Sequence, residues 1–362
     1  MHIRERFNSV HSKREKEHEK KKLKELAKMQ KKDLKYERVV GKGSFGLVYL
    51  ARKKGAGPDS LPFAVKQIEK DHLVQTGQQF NVVREKLIMH QMSHPHIANL
   101  FSTYSDARSL YFVVEYLAGG HVYHWLWKSR LKFDCQRTQY YAACISDGLI
   151  YMHSKNILYR DLKLENMCLN HEGTVKLIDF GLSKVCTHRT FTTAGTPEYM
   201  APEMINGRGH HKGVDYWAMG IAIFEMLCGF TTFGMWVRKK PPSDMLVFRR
   251  INSTEPKFPE DFPDKAKDLV APLLQKKPAE RLGCLKNDGE GIREKEFFKE
   301  IDWKKIREGT MEPVWKPPLK NINDDSCQTD ALDKKWKGHK PAKYKKSGRR
   351  FEKLWDQNFP LC

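Results

Sequence analysis

The pattern of apolar and polar positions divides the chain into a strand-rich part and a helix-rich part. The stretch YERVVGKGSFGLVYLARKK, from residue 36, predicts two strands joined by a glycine turn, and LPFAVKQIEK predicts a third. LYFVVEYL at 110–117 predicts a buried strand, whereas 81–92, 136–155, 214–229, 244–252 and 264–274 have helical spacing. The pattern therefore predicts an α+β fold with two unequal lobes joined near residue 117.

Four segments follow from this pattern and from the composition. We expect a basic, partly helical N-terminal extension at 1–36, a β-rich small lobe at 37–117 and a helical large lobe at 118–304. From about residue 318 the sequence turns polar and rich in lysine, so we expect 305–362 to be a basic tail.

Charge and cysteine content narrow the compartment and the partners. The net charge is +21, of which residues 1–36 carry +7 and residues 318–362 carry +5. These basic segments could bind an acidic partner or make a peripheral membrane contact. Nucleic acid is disfavoured, because no RRM, KH or zinc-finger spacing is present. The eight cysteines form no CxxC pair, and the longest nearly apolar run, at 217–230, is too short to span a bilayer. We therefore expect a cytoplasmic protein without a transmembrane segment, with the nucleus as an alternative.

The glycines at 41, 43 and 46 are candidates for binding phosphate oxygens through backbone N–H groups. A Walker loop would need a glycine at Tyr36, and a dinucleotide fold would need a helix after the glycines. Lys66, in the predicted strand FAVK, needs an anion if it points inward, and Glu85 in the next helical run can neutralise it. Together they would direct Lys66 toward nucleotide phosphates.

The stretch YRDLKLENM at 159–167 places an acid, a base and an amide close together. Asn166 and Asp179 offer the hard oxygen ligands that Mg²⁺ prefers. Asp161 is then free to accept the proton of an attacking hydroxyl, and Lys163 can stabilise the charge of a transferring phosphoryl group. This set suits phosphoryl transfer.

Six motifs in this order resemble the signature of the eukaryotic protein kinases: GKGSFGLV, AVK, Glu85, YRDLKLEN, DFG and APE. The resemblance covers residues 37–304. YRD, GTPEYMAPE and the late stretch RLGCLKNDGEGIREKEFF are similar to the AGC group, above all to the catalytic domains of protein kinase A and protein kinase G. The resemblance implies a bilobal kinase fold and a serine/threonine kinase that uses Mg-ATP.

The resemblance also implies roles for individual residues. Lys66, Glu85, Asp161 and Lys163 would be catalytic, and Asn166 and Asp179 would bind magnesium. The nucleotide would be bound by Gly41, Lys42, Gly43, Ser44, Phe45, Gly46, Leu47, Val48, Ala64, Lys66, Val114, Glu115, Leu117 and Cys168. Asp215 would brace the catalytic loop, and Glu203 and Arg281 would form a buried ion pair.

Activation and substrate choice are implied in the same way. Thr192 matches the phosphorylated position of the activation loop, with Arg160 and Lys184 as cationic partners and Thr190 and Thr193 as competitors. An upstream kinase or autophosphorylation would modify it. Carboxylates at a cleft rim would select substrates with upstream arginine, and Thr196 would help to bind the acceptor; these carboxylates are Glu165, Glu198 and Glu225. His121 departs from the family pattern, which has glutamate at this position.

Regulation and the tails are less well defined by the motifs. The chain shows no cyclic-nucleotide-binding module, so such control would need a separate regulatory subunit. The tail stretch NINDDSCQ lacks the aromatic residues of the family, and the end has Phe351, Trp355 and Phe359 without an FxxF motif. A kinase-like scaffold without catalysis is the alternative, although Lys66, Asp161, Asn166 and Asp179 are all present.

Overall fold

The computed structural model describes residues 26, 28–43, 45–57, 60–128, 132–234, 241–322, 324, 335–336, 338–339, 341, 344, 354–355 and 357–359. Most of the predicted N-terminal helical segment, Ser44 and Phe351 lie outside these residues. The chain forms two compact units. The first comprises Met1–Lys86, Asn99–Tyr116 and Gln328–Cys362, and the second comprises Leu87–Ala98 and Leu117–Cys327.

The first unit is built on an antiparallel sheet of five strands in the order β1-β2-β3-β5-β4. The strands are β1 Leu34–Gly43, β2 Gly46–Lys53, β3 Phe63–Glu69, β4 Leu100–Ser105 and β5 Ser109–Glu115. Two helices follow β3 in the chain, α1 Lys70–Gln75 and α2 Gln79–His90. The strands predicted on both sides of the glycine turn, the third strand and the strand at 110–117 are confirmed.

Strand β4 was not predicted, because its buried positions carry hydroxyl groups. Ser102 and Thr103 are 1% and 2% exposed. Their hydroxyls donate to backbone carbonyls, Ser102 to Met29 at 2.7 Å and Thr103 to Phe359 at 3.1 Å. Buried hydroxyls are tolerated where such acceptors exist. The polar residues Ser102 and Thr103 therefore did not indicate a buried strand in the sequence.

The second unit is mainly helical. Its helices are α3 Val122–Lys128, α4 Cys135–Ser154, α5 Pro202–Ile205, α6 Gly213–Cys228, α7 Asp244–Ser253, α8 Asp264–Leu273, α9 Glu290–Arg293 and α10 Trp303–Glu308. Short strands form two small sheets, one of β6 Gly120–His121, β8 Met167–Leu169 and β9 Val175–Leu177, the other of β7 Ile157–Leu158 and β10 Lys184–Val185. The helices predicted at 136–155, 214–229, 244–252 and 264–274 are confirmed.

Helix α6 is the centre of the second unit. All of its residues are buried, and it contacts both α4 and α8. It ends at Gly229, whose φ of 81° is left-handed and whose N–H donates to the Glu225 carbonyl at 2.7 Å. The long apolar run was therefore correctly predicted as a buried helix. Among the residues that the structure describes, no helix has the length and apolar character needed to cross a membrane.

Candidate functional site

The first unit contains the predicted lysine–glutamate pair. Lys66 lies inside β3, opposite Val48 of β2 and Phe112 of β5. Its Nζ is 2.7 Å from Oε1 of Glu85, which lies on α2 and is 5% exposed. A buried carboxylate without a cation would be costly, so the pair fixes the lysine ammonium beside the sheet and the glutamate on the helix.

The glycine turn joins β1 and β2, with Gly43 opposite Gly46. A Cβ on Gly46 would lie 2.0 Å from the carbonyl oxygen of Gln67 in β3. Gly46 is thus required by the close approach of two strands, independently of any ligand. Phe45 accepts a hydrogen bond from the N–H of Glu69 at 3.0 Å and packs its ring against His72.

The predicted adenine-binding residues are divided between the two units. In the first unit Ala64 pairs with Val114 across β3 and β5, and the Glu115 carboxylate accepts a hydrogen bond from Asn99 Nδ2 at 2.9 Å. In the second unit two predicted residues form an apolar cluster with Ala98: Leu117 and Cys168.

In the second unit the structure gathers three predicted residues around the carboxylate of Asp161. Lys163 Nζ lies 3.2 Å from Oδ2 of Asp161 and donates to the Thr196 hydroxyl at 2.9 Å. Thr196 Oγ1 donates to Asp161 Oδ1 at 3.3 Å, and Asn166 Nδ2 donates to Asp161 Oδ2 at 2.8 Å. Asp161 is therefore oriented by three separate donors.

A second network holds the backbone of this loop. Arg160 has a left-handed φ of 68°, which is strained for a residue with a Cβ. The carboxylate of Asp215, fully buried on α6, accepts from the backbone N–H groups of Tyr159 at 2.9 Å and Arg160 at 2.7 Å. His153 on α4 bonds the same carboxylate at 2.7 Å. These hydrogen bonds are the ones that the predicted bracing role of Asp215 requires. The contact of His153 with Asp215 was not predicted from the sequence.

The predicted magnesium ligands fit a hard divalent cation. Asn166 donates its amide N–H to Asp161, so its side-chain oxygen is the atom that would bind a cation. Asp179 is exposed, with a left-handed φ of 60°. Burial raises the pKa of Asp161 above its ordinary value, and the nearby charge of Asp179 adds to the rise. Two carboxylates that repel each other beside an amide oxygen suit Mg²⁺, and no cluster of three or more His, Cys, Asp or Glu forms an alternative metal site in the described part of the chain.

The activation loop separates its candidate threonines by burial. Thr190 is 3% exposed, pairs its backbone with His210, and its hydroxyl accepts from Lys184 Nζ at 2.8 Å. Thr192 is exposed, and the Arg160 guanidinium donates to its carbonyl oxygen at 3.2 Å. The Thr192 side chain is thus accessible to solvent, whereas that of Thr190 is buried.

The three predicted substrate carboxylates differ in their surroundings. Glu225 is 6% exposed and accepts a hydrogen bond from the Tyr199 hydroxyl, and burial raises its pKa to about 8. The side chain is thus buried with the rest of α6 rather than exposed at a cleft rim, and its role in substrate binding stays a prediction. Glu198 accepts from the Thr231 hydroxyl. Burial also raises the pKa of the Glu165 carboxyl, whose Oε2 is buried without a hydrogen-bond partner among the residues that the structure describes.

The predicted buried ion pair of the second unit is present. Arg281 is fully buried and donates to both carboxylate oxygens of Glu203, at 2.6 and 2.9 Å. It also donates to the Gly213 carbonyl at 3.0 Å, so the pair ties the loop before α9 to the start of α6.

Comparisons with known proteins agree with the motifs. Residues 34–289 match the family model described as the protein kinase domain. The chain is 38% identical over 295 residues to a cAMP-dependent protein kinase catalytic subunit of Dictyostelium discoideum, covering 82% of this chain and 44% of the relative. It is 36% identical over 287 residues to the human cAMP-dependent protein kinase catalytic subunit PRKX, covering 79% of this chain and 77% of the relative. A cGMP-dependent protein kinase of Drosophila melanogaster, isozyme 2 forms cD5/T2, is 37% identical over 81% of this chain and 31% of its own length.

Proposed function

The chain belongs to the protein kinase family, as a serine/threonine kinase of the AGC group similar to the cyclic-nucleotide-dependent kinases. We propose that it transfers the γ-phosphate of Mg-ATP to Ser and Thr hydroxyls that follow arginine residues. The observation that carries the proposal is the orientation of Asp161 by Lys163, Asn166 and Thr196.

In this proposal Asp161 accepts the proton of the substrate hydroxyl as its oxygen attacks the γ-phosphorus and the bond to the ADP oxygen breaks. Burial makes the carboxylate more basic than an exposed one. Lys163 lies where it can neutralise negative charge beside that carboxylate, and Thr196 holds the lysine in place. Asn166 and Asp179 would hold a magnesium ion, which would supply neutralisation of the phosphate charge.

The residues of the first unit have a binding role in the proposal. The ammonium of Lys66, kept in position by Glu85, would contact phosphate oxygens of ATP. The backbone N–H groups of the glycine turn at 41–46 would contact the same triphosphate. The apolar side chains Val48, Ala64 and Val114 would pack on the adenine ring.

The preference for arginine rests on the carboxylates of Glu165, Glu198 and Glu225. In the described part of the chain none of them takes part in an ion pair. A guanidinium could therefore neutralise them with bidentate contacts. His121 stands where the family has a further glutamate, so we expect the preference to be weaker than in the relatives.

Regulation is part of the proposal. Phosphorylation of Thr192, by an upstream kinase or by the enzyme itself, would add an anion beside the Arg160 guanidinium and order the loop. The relatives from Dictyostelium and human are named catalytic subunits. We propose that a separate regulatory subunit binds this chain too, and that it works in the cytoplasm, with the nucleus as the alternative.

A peptide assay tests the proposal. Peptides that differ only in the residues two and three positions before a serine, as arginine pairs, alanine pairs or glutamate pairs, are incubated with Mg-ATP and the enzyme. We expect transfer to the arginine peptide above the other two, and loss of transfer in Asp161→Ala. A protein phosphorylated on Thr192 that modifies none of the peptides would favour the kinase-like scaffold.

A further inference from the structure

Helix α3 begins beside one of the substrate carboxylates. His121, the residue before α3, is hydrogen-bonded through Nδ1 to the Glu165 carbonyl oxygen at 2.7 Å. In the small sheet His121 also lies opposite Cys168. The helix itself packs on the turn Leu164–Asn166. These contacts fix the first turn of α3 next to Glu165.

Two aromatic side chains share one face of this helix. Tyr123 and Trp127 are one helical turn apart, and their ring centroids lie 5.8 Å apart with an interplanar angle of 43°. Trp127 is 51% exposed, whereas its neighbour Trp125 is 8% exposed and donates its indole N–H to the Gly119 carbonyl at 2.7 Å. Trp125 is thus a core residue, but half of the Trp127 side chain surface faces water.

Tyr123 of this aromatic pair lies near the carboxyl groups of three glutamates. The pKa of Tyr123 is raised, first by burial and then by the charges of Glu165, Glu225 and Glu198. The ion pairs formed by the described residues include none of these three carboxylates. An exposed aromatic face in such a field favours a cation over a neutral apolar group.

We propose that Tyr123 and Trp127 stack on the guanidinium of a substrate arginine upstream of the phosphoacceptor, so that this kinase selects arginine over lysine. The inference rests on the proposed function and names a specificity device for it. A guanidinium is planar and weakly hydrated, so it can stack on a ring and form hydrogen bonds with a carboxylate at the same time. The compact, strongly hydrated ammonium of lysine gains less from the ring.

The test compares peptides that carry arginine, lysine or norleucine at one upstream position at a time. Each is measured with the wild-type chain, Trp127→Ala, Trp127→Phe and the control Leu285→Ala, which removes another exposed apolar side chain of the second unit, 48% exposed. We expect the arginine-to-lysine ratio of kcat/KM to fall roughly 3- to 20-fold in Trp127→Ala, mainly through KM. In Trp127→Phe the arginine-to-lysine ratio should stay close to that of the wild type, and in Leu285→Ala it should be unchanged.

Binding of the same fluorescent peptides, measured by anisotropy without ATP, separates the two proposals. If the wild type phosphorylates none of the peptides, the proposed function fails. The anisotropy measurement then still tests whether Tyr123 and Trp127 bind the arginine side chain. An unchanged arginine-to-lysine ratio in Trp127→Ala, in kinetics or in binding, would overturn the inference. An equal loss for the norleucine peptide would overturn it as well, because the face would then bind apolar residues.

Discussion

Arg160 has a strained backbone, carries a buried charge and contacts the activation loop. Its left-handed backbone is held by the Asp215 carboxylate, and its guanidinium donates to the carbonyl oxygens of Leu182 at 2.8 Å and Thr192 at 3.2 Å. The side chain is 6% exposed. An anion brought close to this buried cation, such as a phosphate on Thr192, would form charge-assisted hydrogen bonds with it.

Replacing Thr192 tests this reading. We expect Thr192→Ala to lower kcat/KM by at least about tenfold, because a phosphate on Thr192 would form charge-assisted hydrogen bonds with Arg160. Peptide kinetics, with the phosphate content followed by mass spectrometry, measure the effect. The exposed neighbour Thr193 provides the control Thr193→Ala. Full activity of Thr192→Ala would remove Thr192 from the activation mechanism.

Glu225 predicts a pH dependence of substrate binding. Burial keeps its carboxyl largely protonated at pH 7, with a pKa of about 8. A bound arginine favours the ionised form, so KM for an arginine peptide should fall as the pH rises from 6 to 8, by at most about tenfold per pH unit. The pH profile of KM in Glu225→Gln should be flat by comparison. The same slope in both proteins would contradict the assignment.

At the scale of elements, two aromatic residues near the C-terminus pack within the first unit. Trp355 and Phe359 are fully buried, with the Phe359 ring 5.5 Å from that of Phe112 in β5. Lys86 of α2 donates to the Asn358 carbonyl. Because Lys86 follows Glu85 in α2, the segment supports the helix that carries the partner of Lys66.

Removing one of these rings should loosen that helix. We expect Phe359→Ala to lower the free energy of unfolding of the first unit by about 3–5 kcal/mol, as for other buried aromatic truncations. Denaturant unfolding measures this, with Gln357→Ala, an exposed position of the same segment, as the control. Equal stability of the two variants would mean that the segment does not support α2.

The elements differ in how well the sequence predicted them. The helices α4, α6, α7 and α8 were predicted because their apolar residues repeat with helical spacing over ten residues or more. Strand β4 was missed because its buried hydroxyls look like a loop, and β6, β7 and β10 have only two residues each. Docking of Trp355 and Phe359 was not predicted, since their spacing fits no FxxF motif and their partners lie far away in the chain.

At the scale of the whole molecule, the motifs predicted more than the local patterns did. The family, the kinase fold and the serine/threonine kinase class are confirmed by the family match and the relatives. The residues around Asp161 lie in two short motifs, YRDLKLEN and GTPEY, from which their roles were inferred, and those roles stay predictions. The burial of Glu225 and the bond from His153 to Asp215 depend on helix packing, which no short motif encodes.

The central claim is that Asp161 serves as the base in transfer of phosphate from Mg-ATP. The most direct measurement follows radiolabelled γ-phosphate into an arginine-containing serine peptide, with the wild-type chain and Asp161→Asn side by side. We predict incorporation on serine by the wild type and a loss on the order of 10²- to 10⁴-fold in Asp161→Asn. Equal incorporation by both proteins, or none by a wild type that carries phosphate on Thr192, would contradict the claim.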